Sequence, residues 1–138
     1  MKLILSILAT TLVLSLNILS TKNKFSISAK VVNVSSDEGK IGFDLFDKDN
    51  FMGKPILSFN SEISNGESEV TFTNISPGEY AIVCYHDKNN NSKMDFTING
   101  MPLEDYGSSN NVMNFGPPTF ENAKFTVINK NVSLDIKF

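Results

Sequence analysis

Cysteine is nearly missing from this chain: Cys84 is the only one in 138 residues. No internal disulfide can form, and a lipid anchor carried on a cysteine at the end of an export signal is excluded too. His86 is the only histidine, which excludes zinc sites built from several histidines or cysteines. Arginine is absent, and the 12 basic residues are scattered lysines. With a formal charge of −3 and no basic run, the chain lacks the electrostatic footprint of a nucleic-acid partner. A Gly-x-Ser-x-Gly nucleophile elbow is also lacking. Beyond the first stretch there is almost no helical periodicity, so a helical bundle is excluded as well.

What is present begins with Met1-Lys2, followed by Leu3 to Leu19 without a charged residue, and then the polar run Ser20-Thr21-Lys22-Asn23-Lys24. A basic start, an apolar run and a small residue before a polar stretch read as a signal peptide over residues 1–20. A retained anchor wants roughly 20 predominantly apolar residues, and this run is diluted by Ser6, Thr10, Thr11, Ser15 and Asn17. The expectation is export, to the periplasm or beyond the cell, with no stable membrane insertion after cleavage. A single domain then spans residues 24–138, long enough to bury a core without covalent staples.

Within that domain the dominant period is two. Phe25, Ile27, Ala29 and Val31 alternate with polar residues, as do Ile41, Phe43 and Leu45, then Val70 and Phe72, and finally Val132, Leu134, Ile136 and Phe138. Each run places one apolar face on a core and one polar face in water. Ala123, Phe125 and Val127 read as the apolar face of the penultimate strand. Tyr80 to His86 is apolar on both faces and is expected to be a central, doubly covered strand. Turn residues punctuate the runs: Ser35 to Gly39 reads as a hairpin joining the first two strands, and Asn65-Gly66 as a tight turn. About seven strands at this spacing predict an all-β antiparallel β-sandwich of prealbumin-like or immunoglobulin-like type. One long loop, 87–115, has no pattern of its own, and loops of that length are usually functional or held by something.

That loop opens with oxygen-bearing side chains at its first, third, fifth and ninth positions: Asp87, Asn89, Asn91 and Asp95. Lys93, at the seventh, offers its backbone carbonyl. This is the spacing of a calcium loop, in which a tight coil turns alternate side chains onto a hard cation that takes six to eight oxygens. The twelfth position, where a bidentate carboxylate is expected, is Ile98, and the sixth, usually glycine, is Ser92. Glu104 or Asp105 would supply the missing carboxylate if the chain folds back. The same composition also suits a solvated turn.

His86 beside Asp87 suggests a catalytic pair, but neighbours on a strand point to opposite faces. Cys84 and His86 share a face, though a thiol in an apolar strand is more often inert core. A carboxylate pair for glycoside hydrolysis is not established by spacing. No catalytic residue is therefore assigned. Gly100, Pro102, Gly107, Gly116, Pro117 and Pro118 fix turns in the second half of the loop, making it a rigid cap. A sharper expectation is a pocket lined by His86, Asp87, Glu104, Tyr106 and Asn110.

In order and spacing, these motifs resemble a known family. The run Pro77-Gly78-Glu79-Tyr80-Ala81-Ile82, then His86-Asp87, the Asn89/Asn91/Asp95 coil, Gly100-Met101-Pro102-Leu103-Glu104, Tyr106-Gly107-Ser108-Ser109-Asn110-Asn111 and Gly116-Pro117-Pro118-Thr119-Phe120-Glu121-Asn122-Ala123 resemble the uncharacterised secreted bacterial proteins grouped as domain of unknown function 2141. Ser92 departs from the family pattern, which commonly has glycine there. The resemblance implies export and a β-sandwich, and brings no activity with it. The piece from Asn74 to Tyr80 is similar to a corner of prealbumin-like sandwich modules, a likeness of fold that transfers no function. The sequence thus reads as an exported, non-catalytic binding or accessory module, a cell-surface or envelope component, with calcium ordering its loop. The alternatives are a small secreted hydrolase using His86 with Asp87 or Glu104, and a purely structural or surface-interaction protein.

Overall fold

The computed structural model describes residues 22–113 and 115–138; the expected signal segment, 1–20, lies outside the described residues. Eight strands are formed there: β1 (Phe25–Val31), β2 (Lys40–Phe46), β3 (Leu57–Glu62), β4 (Ser68–Ile75), β5 (Gly78–Asp87), β6 (Tyr106–Ser108), β7 (Phe125–Val127) and β8 (Val132–Ile136). A single helical turn, α1 (Phe120–Ala123), precedes β7. The strands make two sheets, one in the order β4-β1-β8 and the other β3-β2-β5-β6, with β7 also pairing with β5. The protein is a β-sandwich.

The period-two runs account for the core. Ile27, Ala29 and Val31 of β1, Ile41, Phe43 and Leu45 of β2, Phe72 of β4, Ile82 and Cys84 of β5, and Ile136 of β8 are all completely buried between the sheets. β5 is buried on both faces from Ala81 to Asp87, as its unbroken apolar character requires.

Several details differ from the sequence expectation. The Ser35 to Gly39 segment is not a hairpin, because β1 and β2 belong to different sheets; turn residues mark a change of direction but not the partner strand. The sandwich is not purely antiparallel. β8 runs parallel to β1, with Ala29 opposite Leu134 and Val31 opposite Ile136. β6 emerges inside the expected loop, where three residues pair with Val83, Cys84 and Tyr85. Ala123 belongs to α1 rather than to a strand face, capped by the Thr119 side chain, which accepts from the Asn122 amide. Asn65 and Gly66 do form a tight turn with both φ positive, at 54° and 74°.

Asparagine does much of the clamping at the chain ends. The Asn33 side chain donates to the Phe138 carbonyl and accepts from the Phe138 amide, both at 3.0 Å. Asn111 does the same across Asp135 and Lys137, at 2.9 and 2.8 Å. Replacing Asn33 by Ala removes two exposed hydrogen bonds, each with a net worth of about 0.5–1.5 kcal/mol. The expected loss is about 1 kcal/mol, read from the urea midpoint at unchanged slope.

The outer face of the second sheet positions everything that follows. At one end Phe46 and Ala81 lie under Phe51, Phe120 and Ala123. At the other end Lys40 stands opposite Asp87, and Gly42 opposite Tyr85. The segment after β5 folds back over that end.

Candidate metal centre

Asp87 ends β5 and is completely buried. Its carboxylate turns the chain around itself: Oδ1 accepts from the Asn91 amide at 3.0 Å and Oδ2 from the Ser92 amide at 2.8 Å. The coil repeats the device. Asn89 Oδ1 accepts from the Asn91 amide at 3.2 Å, and Asn91 Oδ1 from the Lys93 amide at 3.1 Å. Asn90 and Ser92 reverse the backbone with φ of 58° and 63°, so Ser92 adopts the left-handed conformation for which glycine is usual at the sixth position.

Asp95 lies inside this coil. Its carboxylate accepts from Asn89 Nδ2 at 2.7 Å and from Asn91 Nδ2 at 2.8 and 2.9 Å. Two amide NH2 groups, each carrying partial positive charge, thus converge on one carboxylate. A half-turn of each amide would exchange Nδ2 for Oδ1 and direct two carbonyl oxygens toward that same region.

Glu104 closes the coil from behind. It is buried, and its two oxygens accept from the Lys88 amide at 3.2 Å and the Asp95 amide at 3.1 Å. The Leu103 amide donates to the Asp95 carbonyl at 2.9 Å, fixing the register of the return. Of the two carboxylates the sequence offered for this role, Glu104 turns inward. Asp105 turns away, to the Lys88 ammonium at 3.4 Å and the Ser35 hydroxyl at 3.1 Å.

The structure therefore brings Asp87, Asn89, Asn91, Asp95 and Glu104 into one hydrogen-bonded unit, with Lys93 inside the same coil. Among the described residues no three His, Cys, Asp or Glu side chains group closely enough to hold an ion by themselves. An ion here would need the Asn oxygens and a backbone carbonyl beside the carboxylates. That donor set, all oxygen and mixed in charge, suits calcium and not zinc.

Two contributors were not readable from the sequence. Lys40 Nζ lies 3.9 Å from Asp87 Oδ2 and donates to the Ser92 hydroxyl at 3.0 Å. Gly39, with φ +75°, packs so tightly that a Cβ would lie 2.2 Å from the Asp87 carbonyl oxygen. Both reach the coil across the β2–β5 pairing, and cross-strand register leaves no local mark in a sequence.

The remaining candidates lie elsewhere. His86 is completely buried on the inner face, opposite to Asp87. Its Nε2 donates to the Glu38 carbonyl at 2.7 Å, since a carbonyl can only accept. Nδ1 is buried without a hydrogen-bond partner among the described residues. His86 makes no hydrogen bond to Asp87 or Glu104. Tyr106 pairs with Tyr85 on the outer face, and its hydroxyl reaches the Gly116 carbonyl at 3.5 Å. Asn110, at φ 71°, donates from Nδ2 to the carbonyls of Asn122 and Lys124 at 3.0 and 2.7 Å, stapling the turn after β6 to α1. Cys84 is sealed in the core with its thiol toward the Gly107 carbonyl. Burial pushes that thiol well above its ordinary range, so it stays protonated and unreactive.

The architecture defines a single β-sandwich whose central strand ends in an acidic, Asn-lined coil. Residues 29–135 match the family model described as an uncharacterised protein conserved in bacteria, domain of unknown function 2141, and the chain belongs to that family. The match includes the whole coil from Asp87 to Glu104. No curated protein and no solved structure is significantly similar to the chain.

Proposed function

We propose that this protein is an exported, non-catalytic binding or accessory domain whose 87–104 loop is ordered by calcium. The observation that carries the reading is the coil itself. Two side-chain amides converge on the Asp95 carboxylate, filling the position where a cation would neutralise it, while Asp87 and Glu104 brace the same coil through its backbone amides. Side-chain oxygens of Asp87, Asn89, Asn91 and Asp95, the Lys93 carbonyl and Glu104 would make up the ligand set. Calcium would replace the NH2 donors after the two amides turn.

Calorimetric titration of the purified, metal-free protein with calcium is expected to give a single site. Asp95→Ala should weaken it at least tenfold, because it removes the carboxylate on which both amides converge. An unchanged isotherm in that variant, or no binding heat in the wild type at any temperature, would count against the assignment.

A second reading is supported by the rest of the loop. Phe96, Ile98, Met101, Leu103, Met113 and Phe115 are all exposed, Ile98 and Phe115 fully. Isolated exposed apolar residues are ordinary, but the concentration of these six within residues 96–115 supports a contact surface on this segment. This favours a protein that meets a partner over one that turns over a substrate. The export part of this reading is supported by the uncharged apolar run Leu3 to Leu19.

A further inference from the structure

Between its two covered ends, the outer face of the β3-β2-β5-β6 sheet carries an open groove. Two clefts, of about 480 and 340 Å3, lie side by side and share Met52, Val83, Met94 and Phe96. Together they extend from Ser58 on β3 to Tyr106 on β6. Three strand spacings of about 4.8 Å make this about 15 Å, the span of roughly four extended residues.

The smaller cleft is almost wholly apolar, while the larger also carries Ser58, Asn60, Ser92 and Lys93, with Asp44 and Tyr85 on the sheet beneath. Asp44 is half-buried, and its carboxylate accepts only from the Ser58 hydroxyl, at 2.5 Å. Among the described residues it has no ion-pair partner; Lys93 lines the same cleft without pairing with it. Burial raises the Asp44 carboxyl above its ordinary range, as expected for a charge held without compensation. The Tyr85 ring lies across Gly42, so closely that a Cβ there would be 2.4 Å from its Cζ. The Tyr85 hydroxyl has no hydrogen-bond partner among the described residues.

We infer that this groove binds an extended apolar peptide segment of a partner protein carrying one lysine or arginine, whose cationic group meets Asp44 and the Tyr85 hydroxyl. An uncompensated carboxylate beside an aromatic face and an unpaired hydroxyl recognises a cation. The apolar walls, rich in Met, Phe and Pro, take the neighbouring side chains. The apolar surface continues past the rim: Phe96 is 51% and Met101 66% exposed. That is more contact area than a small amine would use, so a peptide is favoured. One wall, Ser92 to Phe96, is the far half of the candidate calcium coil, but the Asp44 floor stands on the sheet and does not depend on the metal reading.

The test is selection of a displayed dodecapeptide library on the purified protein in calcium, with Asp44→Asn as the counter-target. Enriched peptides should share a Lys or Arg flanked by apolar residues. A synthetic consensus peptide, followed by fluorescence anisotropy, should bind Asp44→Asn at least tenfold more weakly and Phe96→Ala several-fold more weakly. Asp44→Asn should melt at or above the wild-type temperature, so that lost binding is not lost folding. Enrichment of purely apolar peptides would assign the groove to a second copy or to the protein's own loop, and would overturn the proposal. So would equal affinity for Asp44→Asn, or no enrichment. If chelator leaves the consensus affinity unchanged while Asp44→Asn abolishes it, the groove stands and the metal reading loses its support here.

Discussion

Asp87→Ala should lower stability by about 2–4 kcal/mol and erase any response to calcium. The buried carboxylate accepts from two backbone amides, Asn91 and Ser92, and hydrogen bonds to a charged group are worth about 1.5–3 kcal/mol each. Both amides are at the surface, so water recovers part of the loss, which sets the lower end. Lys40 is also left facing a methyl group across β2 and β5. In a domain of this size the midpoint should fall by roughly 10 °C. Asp87→Asn separates scaffold from ion. It retains one acceptor oxygen, and so part of the stability in chelator, but loses the charge that a hard cation requires. An alanine variant that melts within about 2 °C of wild type would show that the coil does not depend on this residue.

Gly39→Ala is expected to cost about 3 kcal/mol, although the residue precedes β2 and touches no candidate ligand side chain. Two terms add. The left-handed φ of +75° disfavours any Cβ by about 1–2 kcal/mol. The new methyl would also meet backbone, 2.2 Å from the Asp87 carbonyl oxygen and 2.8 Å from the Lys88 Cα, and overpacking of this kind typically costs about 1–3 kcal/mol. Gly100→Ala is the internal control. Its φ is +78°, but nothing lies within 4 Å of the added Cβ, so only the conformational cost remains, about 1 kcal/mol. Urea unfolding of both variants checks the contrast; equal losses would show that the close approach at Gly39 relaxes freely.

The sequence made the fold class legible through particular residues. Ile27/Ala29/Val31, Ile41/Phe43/Leu45 and Val132/Leu134/Ile136 alternate cleanly, and each places its apolar set where period two requires. Tyr80 to His86 declared itself central by being apolar on both faces. What stayed hidden is non-local. The turn residues before Gly39 do not say that β2 joins the other sheet, and nothing in Val132 to Ile136 says that it runs parallel to β1. β3 (Leu57–Glu62) was missed because its outward residues, Ser58, Asn60 and Glu62, give it a mostly exposed face. In the site, Asp87, Asn89, Asn91 and Asp95 were legible because the coil is local in sequence. The choice of Glu104 over Asp105 was not, since it depends on which carboxylate faces the Lys88 and Asp95 amides after the chain returns. Lys40, Gly39, Asp44 and Tyr85 enter only through strand register.

The most direct test of the central claim is the thermal midpoint of the purified protein in excess calcium and again in chelator. A ligand bound only by the folded state stabilises it by RT ln(1 + [L]/Kd), about 2.7 kcal/mol at a hundredfold excess over Kd. The account predicts a midpoint several degrees higher in calcium, with the difference removed by Asp95→Ala. Identical midpoints in calcium and chelator, in protein shown to carry no residual metal, would contradict it and leave the 87–104 coil as a self-satisfied cap.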